Sequence, residues 1–411
     1  MITPRAGRSR ALLAAVAAGL LLRLAFGVFY WTGKPLTHDE REYLALAASV
    51  TAGRGFVYGP GMNVGTGQQF GRAPGYPLFL AAIGGGSEDA TETPLRVKLA
   101  QSFVGAAGVW VIALLARRAG GDGAGTAAAW IAAVHPPLVT MPAYVLSETL
   151  FSTVALAAAL ALQSAVSDGG PSRARLLRTF VAGAASGSAA LIRPAMLLFL
   201  PLAVLWLLAR RRPAAAAVLG AACLLVILPW TIRNHRVYDR VVLIASEGGV
   251  TFWTGNHPLA IGEGDLAANP PIKEAELAFR RAHPGLTPEQ MEPLYYRDAF
   301  AHIRADPGWW LTLLARKAVY TVVPIGPSYA LHSAKYRVAS VVPYLFLLPL
   351  AAAGARQLWR RPQPPAAAGL LAGSAVLVSL IFFPQERFRI PVIDPTLIIC
   401  AAGLAARRHR S

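Results

Sequence analysis

The sequence predicts an all-α polytopic membrane protein: one bundle of about ten transmembrane helices with two long outer loops. Three observations predict it. The 411 residues are 55% apolar, with mean hydropathy +0.46. Apolar runs of membrane-spanning length recur along the chain, and a spanning helix needs roughly 20 mainly apolar residues. Arginines cluster in alternate short connections, as cytoplasmic loops do. Only helices or closed barrels satisfy their backbone in lipid, and these runs are too continuous for barrel strands.

The expected spans are 11–30, 95–116, 124–141, 146–165, 177–192, 195–209, 214–230, 338–354, 366–383 and 392–406. The first follows Arg5, Arg8 and Arg10 without a clear small-residue cleavage site, so it reads as an uncleaved anchor. The other basic groups are Arg117 and Arg118; Arg173, Arg175 and Arg178; Arg210 to Arg212; Arg356, Arg360 and Arg361; and Arg407, Arg408 and Arg410. Their alternation puts both termini in the cytoplasm. It also places the +18 net charge in membrane-flanking loops, so no nucleic-acid partner is expected. Segment 308–325 is apolar but carries Arg316 and Lys317. It reads as an interfacial or re-entrant helix with Trp309 and Trp310 at the headgroups. Cys223 and Cys400 each lie in an apolar span, so no disulfide framework or cysteine metal site is implied.

The whole chain, 1–411, reads as one integral membrane domain with outer loops at 31–94 and 231–307. Long ordered loops between compact helices are usually functional. In the first, 38–52 reads as a surface helix, with Tyr43, Leu46, Ala47 and Val50 on one face. Thr37 fits its N-cap and Glu40 its third position, a capping box. Asp39 stands in the first turn, where the helix dipole favours acids. Only 21 residues of the chain are acidic, so a carboxylate pair at the mouth of a span is also a candidate for chemistry.

Other motifs are less telling. His38, His135, His257 and His332 show no His-x-x-x-His spacing and read as polar boundary residues, so no metal site is expected. Gly248-Gly249 and Gly255 lack the Gly-Lys-Ser/Thr ending of a phosphate loop and read as turns. Tyr58, Phe70, Tyr76, Trp253, Tyr295 and Tyr296 could stack on sugars or anchor loops at the interface.

Several pieces occur in a telling order. The acidic pair precedes a helix ending in Gly53-Arg54-Gly55-Phe56. Then come Arg72-Ala73-Pro74-Gly75-Tyr76-Pro77-Leu78-Phe79-Leu80, Ser147-Glu148-Thr149-Leu150-Phe151 and Ile192-Arg193-Pro194. Pro229-Trp230-Thr231-Ile232-Arg233-Asn234 leads to Gly248-Gly249 and Thr254-Gly255-Asn256, and Glu386-Arg387-Phe388-Arg389-Ile390-Pro391 stands near the end. Together they resemble the GT-C superfamily of membrane glycosyltransferases. The similar branch is that of the dolichyl-phosphate-mannose protein mannosyltransferases and the bacterial aminoarabinose transferase. The chain carries no large C-terminal soluble domain like that of many members.

The resemblance implies a GT-C-like bundle in the plasma (inner) membrane. It implies inverting transfer of a sugar from a polyprenyl-phosphate donor to an acceptor hydroxyl on the non-cytoplasmic face. The acceptor would be a glycan, a lipid or a protein, and membrane lipid the solvent. It puts the catalytic base at Asp39. Such a reaction needs one carboxylate to take the acceptor proton, and phosphate leaves without an acid. Glu40 is then a helper or the cap. Glu148 is a second active-site carboxylate or a helix N-terminal acid; as the former it holds an arginine or a divalent cation, Mg2+ or Mn2+, beside the phosphate. No cofactor is otherwise demanded. Arg193, Arg233, Arg387 and Arg389 fall at outer span ends, where their planar forks suit the carrier phosphate or lipid headgroups. Lys317 and Lys335 are weaker candidates. Tyr43, Tyr76 and Asn256 are the expected sugar or acceptor contacts.

Pro391 should hold Ile390 extended and put Arg387 and Arg389 on one side, facing one cavity with Asp39. Two other readings compete. A transporter or flippase without chemistry would show repeats and midplane charges, and neither is evident. A glycan ligase or polymerase would use a diphosphate-linked donor.

Overall fold

The computed structural model describes residues 4–57, 72–167 and 171–406. Among them every regular element is helical: α1 (Pro4–Ala25, extended by a π turn, Phe26–Tyr30), α2 (His38–Thr51), α3 (Gly75–Ala82), α4 (Leu95–Gly120), α5 (Asp122–Val134), α6 (Pro136–Thr140), α7 (Glu148–Ser167), α8 (Ser172–Ile192), α9 (Phe199–Ala209), α10 (Pro213–Tyr238), α11 (Gly248–Gly255), α12 (Pro270–Arg281), α13 (Pro288–Ala305), α14 (Pro307–Val322), α15 (Ala334–Trp359), α16 (Ala366–Ile381), α17 (Glu386–Arg389) and α18 (Ile393–Ala402). Each expected span meets a helix. Five of these stretches are long and apolar enough to cross a membrane by length and composition: Arg10–Tyr30, Leu95–Gly120, Glu148–Ser167, Pro213–Tyr238 and Ala334–Trp359. Pro194–Ala209, Ala366–Ile381 and Ile393–Ala405 are shorter apolar helices.

The core is built on small residues. Ala113, Ala116, Ala128, Ala129, Ala132, Ala155, Ala158 and Ala159 are almost fully buried among Val109, Ile112, Leu156 and Leu162. Small side chains let helix backbones approach where lipid supplies no hydrophobic drive. One such close approach is α8 on α10. A Cβ on Gly183 would lie 2.4 Å from the Leu219 carbonyl oxygen, and one on Gly187 2.7 Å from that of Cys223. Around this seam α7 packs on α8 and α4, and α1 packs on α4 and α5.

The bundle has two chemically different ends. Arg212, at the start of α10, donates to the Ala165 and Val166 carbonyls at the end of α7 (3.4 and 3.2 Å). Gln163 of α7 donates to the Pro364 carbonyl (3.0 Å), in the turn after α15. Arginine-rich turns thus gather where α7 ends. Where α7 begins, at Glu148, the segments carrying α2, α3 and α11 assemble. There α11–α13 form a small second core from Phe252, Trp253, Ile272, Met291, Tyr295 and Ala299.

Candidate active site

Among the described residues, six chain segments meet at the start of α7. The N-terminal turn of α2 brings Asp39, Glu42 and Tyr43. The approach to α3 brings Arg72, and the start of α7 brings Glu148. The end of α8 brings Arg193, the turn before α11 brings Glu247, and α17 brings Arg387.

Local sequence explains the placement of α2. Thr37 caps it: the Thr37 amide and hydroxyl each donate to Glu40 Oε2 at 2.8 Å. Glu40 Oε1 accepts from the Val145 amide at 2.9 Å, just before α7. Glu40 is 2% exposed. It therefore staples α2 to the bundle, which leaves neighbouring Asp39 facing the opening.

Asp39 lies between two guanidiniums. Arg72 Nη2 is 3.2 Å from Oδ1, and Arg387 Nη1 is 3.0 Å from Oδ2. Burial pushes its carboxyl up, but Arg72 and Arg387 outweigh burial and hold it at about 2, below the ordinary 3.8. Arg72 also meets Glu42 (2.7 Å) and Glu247 (2.9 Å). It lies over the Tyr43 ring, whose hydroxyl is pushed up by burial. Arg193 Nη1 is 2.7 Å from Glu148 Oε1 and 3.3 Å from Ser147 Oγ. The Phe388 ring joins the two halves, with Arg193 4.9 Å and Arg387 5.4 Å from its centre. Asp39, Arg72 and Arg387 are 27, 19 and 36% exposed at the side chain, and Glu148 is 2%. The site is an open-mouthed cluster with a buried floor.

The other expected residues lie outside this cluster or behind it. Tyr76 is fully buried behind Tyr43, edge to face at 4.9 Å, and its hydroxyl donates to Gln101 (3.1 Å). Arg233 sits against Trp230, Phe56 and Tyr238. Asn256 accepts from Trp310 Nε1 (3.1 Å) and Lys317 Nζ (3.0 Å), and donates to the Ile381 carbonyl (2.9 Å). It ties α11 to α14 and α16. Tyr58, Phe70 and Arg407 to Arg410 lie outside the described residues.

The extended run across Glu386 to Ile390 does not form. The segment winds into α17, and Ile390 is right-handed helical (φ −53°, ψ −42°). Arg389 therefore points away from Arg387. It is 5% exposed, pairs with Asp394 (Nε to Oδ1, 2.9 Å) and stacks 3.7 Å from the centre of the Tyr344 ring. Asp394 Oδ2 is 3.1 Å from His135 Nε2, so His135 is a buried partner rather than a boundary residue. This ion pair anchors α17 and explains the winding. Glu386 faces Tyr329 and Tyr336.

Sequence reasoning missed Arg72, Glu42, Glu247 and Phe388 as site residues. Arg72 and Phe388 stood inside motifs already singled out. Glu42 follows Asp39 by one helical turn, a spacing that could have flagged it.

Glu42, Glu148 and Glu247 each meet an arginine and Asp39 meets two. Three guanidiniums, Arg72, Arg193 and Arg387, thus serve four carboxylates, so every carboxylate has a cationic partner and one negative charge is left over. Among the described residues no group of three His, Cys, Asp or Glu side chains is placed to hold a metal.

The model of the dolichyl-phosphate-mannose-protein mannosyltransferase family matches residues 77–232, less than half of the chain. Among solved structures, the oligosaccharyltransferase AglB from Archaeoglobus fulgidus, in complex with an inhibitory peptide and a dolichol-phosphate, matches at TM-score 0.58. It is 16% identical, over 98% of this chain and 50% of that one. The same enzyme in the apo form gives 0.57 and 17%, over 96% and 50%. The fold is GT-C-like. Within that GT-C-like fold the chain spans about half the length of the oligosaccharyltransferase. ArnT from Cupriavidus metallidurans, bound to undecaprenyl phosphate, matches at only 0.44 and 15%, over 96% and 77%. No curated protein matches the sequence.

Proposed function

We propose that this protein is an inverting glycosyltransferase of the GT-C superfamily. It moves a sugar from a polyprenyl-phosphate donor to an acceptor hydroxyl on the non-cytoplasmic face of the plasma membrane. The observation that carries this reading is Asp39, held between Arg72 and Arg387 at the open mouth of a GT-C-like bundle. The gathering of arginine-rich turns at the opposite end supports the orientation.

The residues divide the work. The open carboxylate of Asp39 accepts a hydrogen bond from the acceptor hydroxyl and aims its oxygen at the anomeric carbon. As the new C–O bond forms, the bond to the phosphate oxygen breaks and its electron pair leaves with the phosphate. The hydroxyl proton passes to Asp39 late, which suits a weak base. Arg387 and Arg193 flank Phe388 and receive the carrier phosphate as charge grows on its bridging oxygen. Arg72 stays with Glu42 and Glu247 and steadies Asp39. Tyr43 lines the opening beneath Arg72, as a contact for sugar or acceptor.

The purified protein is incubated with a panel of radiolabelled polyprenyl-phosphate sugars and acceptor extract. Release of polyprenyl phosphate with label transferred supports the reading. Movement of intact donor across vesicles without release points to a flippase. Reaction only with diphosphate-linked donors points to a ligase or polymerase.

A further inference from the structure

Arg23 lies inside the first apolar span and is 2% exposed. Ionisable groups at such depth are costly and mark function. Part of its role is local. Its Nη atoms donate to the carbonyls of Gly19 (2.8 Å), Ala132 (3.3 Å) and Ala133 (3.5 Å). Ala132 and Ala133 end α5, where Pro136 and Pro137 supply no amide hydrogen, so Arg23 caps a helix C-terminus. That leaves Nε, which has no hydrogen-bond partner among the described residues.

Arg23 borders a small cavity beside α4 and α7. The same cavity is lined by Glu148, Thr149, Ser152 and Pro391. Two further buried atoms on these lining residues have no hydrogen-bond partner among the described residues: Glu148 Oε2 and Thr149 Oγ1. Glycine opens the space, since a Cβ on Gly105 would lie 2.8 Å from Arg23 Nε and one on Gly108 2.9 Å from Thr153 Oγ1. The cavity measures about 20 Å³, and a bound water needs roughly 10–15 Å³ and two to four polar partners.

We infer that this cavity is an internal water site, and that through its water Arg23 is a positioning residue for Glu148. The water accepts from Arg23 Nε and donates to Glu148 Oε2, with Thr149 Oγ1 as a third partner. Glu148 is then fixed on both sides, by Arg193 in front and by the Arg23-bound water behind, and its hold on Arg193 is set. The importance of this for transfer rests on the function proposed above; the water site itself does not.

Two measurements separate those claims. A map of the wild-type protein at a resolution that shows ordered solvent should have density within hydrogen-bond distance of Arg23 Nε and Glu148 Oε2. A dry cavity overturns the inference, whatever the enzyme does. The second compares wild type, Arg23→Lys and Arg23→Met for binding of undecaprenyl phosphate alongside thermal stability. Arg23→Met should weaken binding roughly tenfold or more, the scale of losing one hydrogen bond to a charged group. Arg23→Lys, which keeps charge and donors, should restore most of it. Stability losses in both variants with unchanged binding would make Arg23 a helix cap alone and contradict the positioning role. Wild type that fails to bind the probe but shows the water would count against the proposed function and leave the water site standing.

Discussion

At Asp39 two effects oppose each other. Burial favours the neutral carboxyl, and Arg72 and Arg387 favour the charged one, with the arginines prevailing. A group held near 2 stays ionised through the range where enzymes work, so it orients the acceptor and takes its proton late. Arg387→Ala should let the carboxyl climb back towards 3.8. The acid limb of the rate profile should then move to higher pH, as kcat/KM measured against pH would read. The same sign governs stability: the contribution of Asp39 is present above its unfolded value and is lost as the pH falls from 3.8 towards 2. Arg387 and Arg389 should separate cleanly. Arg387→Ala should weaken donor binding, while Arg389→Ala should lower stability by about 3–5 kcal/mol, because it leaves the buried Asp394 carboxylate with His135 alone beside it. Equal loss of donor affinity without a stability loss in Arg389→Ala would return Arg389 to the phosphate site.

The elements show what was legible in sequence and what was not. The capping box of α2 could be read from Thr37 and Glu40, because capping depends on residues three apart in the chain. The bond from Val145 to Glu40 could not, because it joins residues 105 apart. The course of α17 was misread because Pro391 biases Ile390 only locally, and a buried ion pair with Asp394 overrides that bias. Glu40→Ala should take the carboxylate half from the capping box that Thr37 begins, at about 1 kcal/mol for the lost hydrogen bonds, and leave the Val145 amide unpaired at about 1–3 kcal/mol more. Thermal unfolding would measure the sum, and KM would report the drift of Asp39. At the α8–α10 seam, Gly183→Leu should overpack the contact and cost about 1–3 kcal/mol. A melting temperature unchanged from wild type would contradict that close approach.

For the molecule as a whole, span length and arginine alternation carried most of the fold, because both follow from the bilayer as solvent. They could not tell which outer arginines converge, since that depends on how six segments fold over one end. The topology makes a direct prediction. In a background lacking Cys223 and Cys400, a cysteine at exposed Asp89 should react with an impermeant reagent in intact cells, and one at exposed Gln363 only after lysis. Reversed labelling would place Asp39 on the cytoplasmic side and defeat the proposed donor chemistry. The central claim is that Asp39 is the base of a polyprenyl-phosphate-dependent transfer. Release of polyprenyl phosphate at saturating donor, measured for wild type against Asp39→Asn of equal stability, tests it most directly. The account predicts a loss of roughly 10²-fold or more, the scale of removing a general base; turnover near wild type in Asp39→Asn would contradict it.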